Sequence, residues 1–226
     1  MRTLAIDCVT EACSVALFDG DALIAGECRM LGRGHAEQLV PMIAALPGHG
    51  RAGRIAVSTG PGSFTGLRVG LAAARALALA WQADLTGFPT LALVAAMARD
   101  RHPGQPVAVA MTGGHGEWFV EAFGADGASL APLASLRPDD AVATVQAALV
   151  AGSQAEALVA RRGQGKALPL WPDARCLPLV DPALLGPVQA LYGRAPDARL
   201  PQPAPLPPQN AAQPGPGTTI STGLWR

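Results

Sequence analysis

Gly60-Pro61-Gly62-Ser63-Phe64-Thr65-Gly66-Leu67-Arg68 is the stretch on which the reading of this chain turns. It follows a β-like run at residues 54–59 (RIAVST) and opens a long alanine- and leucine-rich segment. Three glycines and a proline at a strand-to-helix junction make a tight loop with exposed backbone. Such a loop either needs conformations that only glycine tolerates, or lets another chain or a phosphate approach the main chain. Ser63 and Thr65 add hydroxyls at a helix N-terminus, a geometry that suits an anion. No Gly-Lys-Ser/Thr closes the loop, so it is not a Walker A motif, and it is not the dinucleotide fingerprint. The competing reading is a structural turn that packs strand against helix.

Working outward, residues 4–6 read as a short buried strand ending at Asp7. Residues 12–18 (ACSVALF) read as a second strand, Asp19-Gly20-Asp21 as a hairpin turn, and residues 22–28 as a third strand. A helix follows from Gly34, with Leu39, Val40, Met42, Ile43 and Leu46 at helical spacing, until Pro47-Gly48-His49-Gly50 stops it. A strand over 54–58, the glycine loop, a helix over about 65–82, a strand over 86–88 and a helix over 90–99 complete the first half. This alternation is an α/β pattern, not a bundle or a sandwich. The second half opens near Gly104 with a strand over 106–111, the turn Gly113-Gly114-His115-Gly116 and a returning strand over 117–123. A helix over 139–146, a strand over 147–151 and a helix over 153–162 follow. After Tyr192 the composition shifts. Eight of the 21 prolines lie between Pro196 and Pro216, which reads as a disordered or polyproline-II tail.

The chain has 226 residues, half of them hydrophobic, enough to bury a core in one domain or two small ones. Its 17 basic and 17 acidic residues balance, which argues against gripping nucleic acid or anionic membrane unaided. No signal peptide is visible, since Asp7 interrupts the opening apolar run. The apolar segment 69–81 contains Arg75 and is shorter than the ~20 residues that span a bilayer. The expectation is a soluble protein. Cys8, Cys13, Cys28 and Cys176 form no Cys-x-x-Cys pair and have no histidine at ligand spacing, so reduced thiols in a cytoplasmic protein are expected.

Few residues offer chemistry. Asp7, followed by Thr10, Glu11 and Ser14, can organise a metal-bound phosphate, or cap its own turn by accepting backbone hydrogen bonds. With Gly62, Ser63 and Thr65 it makes up the candidate nucleotide or anion contacts. His35 and Glu37 share a helix without forming His-Glu-x-x-His, so a zinc protease is not supported. No catalytic residue and no metal ligand is assigned. The segment 67–81 (LRVGLAAARALALAW) is apolar nearly all round, with Arg68 and Arg75 on one face. Such a helix is buried on more than one side. Either it packs on its own sheet and on another protein, or it lies between two domains of its own chain.

The opening residues 4–17 (LAIDCVTEACSVAL) resemble the start of the TsaB (YeaZ) family. Residues 35–43 (HAEQLVPMI), residues 60–70 (GPGSFTGLRVG) and residues 192–199 (YGRAPDAR) resemble further motifs of that family. The likeness runs over roughly residues 1–200. It implies an α/β protein of the actin/hexokinase/Hsp70-like fold, with an N-terminal subdomain at 1–102, a C-terminal subdomain at 103–200 and a proline-rich tail at 201–226. It also implies a cytoplasmic, non-catalytic dimerisation subunit. Its complex adds threonylcarbamoyl to the adenosine next to the anticodon of tRNAs that read codons starting with A. The implied partners are a catalytic TsaD-type subunit and a TsaE-type ATPase. The resemblance further implies that the chain binds no cofactor independently, that ATP and metal sit on the partners, that tRNA is reached only through the complex, and that no membrane is involved. The related subunits pair through their helices, here 35–46 and 67–81, which nominates His35, Leu39, Met42, Leu71, Arg75 and Leu79 as partner-binding residues. Replacing Leu71 and Arg75 is therefore expected to weaken partner binding with little loss of fold.

The catalytic relative carries a His-x-x-x-His metal pair just after the strand that follows the glycine loop and its helix. This chain reads Gly87-Phe88-Pro89-Thr90-Leu91-Ala92-Leu93 there, with neither histidine nor carboxylate. Two other departures stand out. The 47–54 connection is short, so the first helix is expected to end early, and Thr112-Gly113-Gly114-His115-Gly116 replaces a charged turn. The alternatives are a stand-alone metallopeptidase-like enzyme, a nucleotide-dependent transferase, and a homodimer that uses the same helices when the partner is absent. A peptidase needs an activated nucleophile or metal site, and a transferase needs two facing phosphate loops. The sequence offers the first neither, and the second only Asp7 and the weak Gly113–Gly116 turn.

Overall fold

The computed structural model describes residues 1–193. The tail at 201–226 and residues 194–199 of the closing motif lie outside the described residues. Strands β1 (Arg2–Asp7), β2 (Ala12–Asp19) and β3 (Ala22–Met30) form an antiparallel meander. Helix α1 (His35–Ala45) leads to β4 (Arg54–Ser58), α2 (Phe64–Trp81) to β5 (Asp84–Phe88), and α3 (Thr90–Arg101) out of the first half. β4 and β5 add in parallel beside β1, giving the order β3-β2-β1-β4-β5.

The second half repeats the plan. Strands β6 (Val107–Thr112), β7 (Trp118–Phe123) and β8 (Ser129–Leu136) form a meander. Helix α4 (Pro138–Thr144), β9 (Leu149–Ala151), α5 (Ala155–Arg162) and β10 (Lys166–Leu168) follow. Here β9 and β10 add in parallel beside β6, so the order β8-β7-β6-β9-β10 is that of the first sheet over again. Sequence reading misses β8, β10 and the 3-10 turns at Ala174–Leu179 and Pro182–Leu184. β8 is mostly exposed, with Leu130 65% accessible, and lacks clean alternation. Helix α1 ends at Ala45, one residue short of the 35–46 reading, and the 47–54 connection continues as a 3-10 turn with Gly48 and His49 left-handed.

Three apolar layers hold these elements. On β1 the side chains alternate. Leu4 and Ile6 face α1 and α2, while Ala5 joins Ala16, Ala56, Val107, Val109 and Met111 in the layer between the sheets. Small side chains on the inner face of the first sheet leave room for α3, whose residues from Thr90 to Ala98 are all buried. A third layer joins the second sheet to α4 and α5 through Ala108, Trp118, Val150 and Leu158. The central helix is thus α3. Helix α2 lies on the outer face of the first sheet, which removes the reading in which α2 is sandwiched between two domains.

Candidate functional site

The outer helix pair is the first place to look. Gly66, Leu67, Gly70, Leu71 and Ala74 turn α2 inward onto the sheet. Ser63 caps its start, accepting from the Gly66 amide at 3.3 Å, and Gln82 closes it in the left-handed region. Only 28% of this 18-residue helix is buried, although by length and composition alone it is apolar enough to cross a membrane. Its outward residues are Arg68, Ala72, Arg75, Ala76, Leu79 and Ala80. Leu79 is 84% exposed, and on α1 Val40 is 58% exposed between Ala36 and Ala44. This is an apolar helix-pair surface without a covering layer among the described residues.

The nominated partner contacts divide on burial. Leu39, Met42 and Leu71 are core residues, at most 5% exposed, and His35 is buried at the start of α1. Leu39, Met42 and Leu71 are corrected here from contact residues to packing residues, because they lie in the layer between the helices and the first sheet. Arg75 and Leu79 are exposed. Arg75 also donates to the Val188 carbonyl at 3.3 Å. Val40, Ala72 and Ala76 complete the surface. On a helix apolar nearly all round, alanine carries too little contrast to show which side faces out.

The glycine loop is packed tightly against the β1–β2 turn. A Cβ on Gly62 would run into the Val9 carbonyl, and one on Gly66 into the Cys8 carbonyl. These positions are glycine because the β1–β2 turn lies directly on them. The Ser63 amide donates to the Val9 oxygen at 2.5 Å, the Leu67 amide to the Ser63 carbonyl, and the Gly60 amide to Ser58 Oγ. Carbonyl oxygens face the loop and several of its donors are already spent, which disfavours a phosphate. Gly62 thus packs on the turn and Ser63 caps α2, while Thr65 is exposed at the first turn. Beside them Arg68 stacks on Phe64 at 3.6 Å, and Tyr192 lies 5.6 Å from the same ring.

Asp7 is 1% exposed at the end of β1. Its Oδ1 accepts the Val9 amide at 3.2 Å, which is the turn-capping role, while Oδ2 has no partner. Burial pushes its carboxyl up to about 7, against the lowering effect of hydrogen bonds from the Val9 amide and the Ser58 hydroxyl, with the Asp173 carboxylate adding a smaller rise. Around it lie the buried hydroxyls of Ser14, Ser58 and Thr90. Thr90 Oγ1 meets Ser58 Oγ at 2.5 Å, and Leu91 and Leu93 are fully buried. The place after β5 where the catalytic relative keeps its histidines is thus filled here by core packing. Among the described residues no group of three or more histidines, cysteines or acids is placed to share a metal. The free thiols of Cys8 and Cys13 are buried, and those of Cys28 and Cys176 half-buried. In the second half a groove of about 610 Å³ is lined by Gly116, Pro138, Arg137 and Arg161 with Glu117 and Asp139, and by His115. Its two arginines face two carboxylates, and Arg161 is paired with Asp139 at 2.9 Å.

Comparisons with known proteins agree with this geometry. The family described as "TsaD: tRNA N6-adenosine threonylcarbamoyltransferase" matches residues 29–167, well over half of the chain. The chain is similar to the tRNA threonylcarbamoyladenosine biosynthesis protein TsaB of Escherichia coli, 39% identical over 42% of this chain and 43% of that protein. It is also similar to the protein of the same name from Haemophilus influenzae, 34% identical over 49% of each chain. These matches span about half the length of those relatives. The solved structure of YeaZ from Pseudomonas aeruginosa superposes with a TM-score of 0.67 at 28% identity, covering 79% of this chain and 89% of that one. The twinned sheets are those of the actin-like fold. The chain belongs to the tRNA N6-adenosine threonylcarbamoyltransferase (TsaD) family, among its TsaB (YeaZ) members.

Proposed function

We propose that this chain is a non-catalytic dimerisation subunit in the synthesis of threonylcarbamoyladenosine in tRNA, and that it binds a TsaD-type catalytic subunit through the outer face of α1 and α2. The observation that carries the reading is the exposed apolar face of α2, with Leu79 84% accessible on a helix only 28% buried. A contiguous apolar surface of this kind marks a protein interface. Alanines and glycines along α2 allow a second helix to come close, so a helical bundle across the interface suits the surface. The reading extends the biosynthetic role printed for the relatives to a division of labour. The catalytic subunit and a TsaE-type ATPase hold the metal and ATP in the cytoplasm, and tRNA is engaged through the assembly. A balanced net charge fits a chain that does not hold RNA by itself.

The glycine loop supports the same division. Its glycines admit the β1–β2 turn and set the position of α2, so the loop serves the helix. A homodimer through the same face is a second use of one surface when the catalytic subunit is absent. Co-purification of tagged chain with the TsaD-type subunit of the same organism tests the proposal. A stable complex, with neither threonylcarbamoyl transfer nor peptide hydrolysis by the isolated chain, is expected. Failure to co-purify, or turnover by the isolated chain, overturns it.

A further inference from the structure

Helix α2 carries two cations, Arg68 and Arg75, and neither aspartate nor glutamate. Seven residues are nearly two full turns, so both guanidinium groups stand on one side of the helix, about 10.5 Å apart along its axis. Both are exposed, and so are Ala72 and Ala76 on the same side. Neither arginine forms an ion pair among the described residues. Each is held in place without being neutralised. The Arg68 guanidinium lies over the Phe64 ring at 3.6 Å, and Tyr192 packs on that ring at 5.6 Å. Stacking uses the flat face of the fork and leaves its edge N–H donors free. Arg75 Nη2 donates to the Val188 carbonyl at 3.3 Å. The segment around Val188 is itself fixed. Gly186 and Gly87 exchange backbone hydrogen bonds at 2.8 and 3.0 Å, and the Leu191 amide donates to the Thr59 carbonyl at 2.8 Å.

We propose that Arg68 and Arg75 are the specificity elements of this face, and that they select a partner helix with two carboxylates about two turns apart and small or apolar side chains between them. The inference rests on the reading of α1 and α2 as the docking surface and names the chemistry of what docks there. The alanines between the two forks form a shelf low enough for a second helix to come within reach of both. A guanidinium fixed in advance loses less rotamer freedom when an acid meets it. Two arginine–carboxylate pairs then set the register of the partner helix along a stretch whose small side chains alone set little. A second copy of this chain is the poorer occupant. A two-fold pairing of α2 centred on Ala72 brings Arg68 opposite Arg75 of the partner subunit, like charge against like charge.

The test is the affinity of the full chain for the TsaD-type subunit of the same organism, by titration calorimetry at about 0.1 M and about 0.5 M salt, over which the Debye length falls from about 10 Å to about 4 Å. Wild-type binding is expected to weaken roughly fivefold at the higher salt. Arg68→Gln and Arg75→Gln are each expected to bind roughly tenfold more weakly at the lower salt, and the double variant to be nearly indifferent to salt. Melting temperatures stay as in the wild type, since both side chains are exposed. Wild-type affinity in the double variant, while Leu79→Asp weakens binding, overturns this inference and leaves the docking surface standing. No binding by the wild-type chain, or wild-type affinity in Leu79→Asp, overturns the docking surface and this inference with it. A homodimer of the isolated chain that the double variant weakens makes a second copy the occupant and also overturns the proposal.

Discussion

Replacing Leu71 and Leu79 by alanine, one at a time, separates the two faces of α2. They sit eight residues apart on one helix and share chemistry, so helix propensity changes equally in both. Leu71 is 5% exposed, in the layer between α2 and the first sheet beside Leu67 and Ala74. Truncating it removes buried methyl groups and leaves a cavity that close-packed neighbours fill only in part. The expected cost is about 2–5 kcal/mol. For a domain of this size that lowers the melting temperature by roughly 5–15 °C. Leu79 is 84% exposed, so truncation removes almost no buried area and is expected to change stability by less than about 0.5 kcal/mol. Urea unfolding followed by far-ultraviolet circular dichroism gives both values. Equal losses in the two variants, or no loss for Leu71→Ala, would refute the assignment of inner and outer faces. The comparison also revises the expectation that a Leu71 substitution spares the fold.

Three further outcomes follow from the same geometry. Asp7 carries its proton up to about pH 7 when folded, against 3.8 for the free group, so the folded state binds the extra proton between those values. Stability therefore falls as pH rises from about 4 to 7 and is constant above, with a total cost on the order of 4 kcal/mol. Unfolding at pH 5 and pH 8 should show Asp7→Asn gaining roughly 2–3 kcal/mol on the wild type over that interval, and an unchanged gap contradicts the burial argument. Gly66→Ala places a methyl against the Cys8 carbonyl, in rigid backbone, and is expected to destabilise by more than about 2 kcal/mol despite alanine's higher helix propensity. A neutral or stabilising thermal shift would return the loop to the list of ligand cradles. Arg75→Ala loses one exposed hydrogen bond to Val188 and should leave stability within about 0.5 kcal/mol, so any loss of partner binding in it reports on the surface.

The sequence made the first half legible because its periodicities are strong. The 12–18 strand, the Asp19-Gly20-Asp21 turn and the Gly60–Arg68 junction each rest on a distinct local signal, and the strand at 54–58 matches to the residue. The likeness to TsaB motifs then supplied the fold, which no periodicity gives. The second half was harder. β8 carries Pro132 and lacks clean alternation, and β10 is only three residues long. At the candidate site the failure has one cause. Leu39, Met42 and Leu71 looked like interface residues because they are the large apolar groups on the pairing helices. Large apolar groups are also what a sheet buries first, and the free face was left to Val40, Leu79 and alanines.

The most direct test of the account is the affinity of the TsaD-type subunit for charge-substituted helix faces. Val40→Asp and Leu79→Asp both place a carboxylate on the exposed surface without touching the core. By isothermal titration calorimetry each is expected to weaken binding at least tenfold, since burying an unpaired charge at an interface costs more than about 1.4 kcal/mol. Circular dichroism and melting temperature should stay as in the wild type. Wild-type affinity in both variants, with the fold intact, would contradict the claim that α1 and α2 are the docking surface.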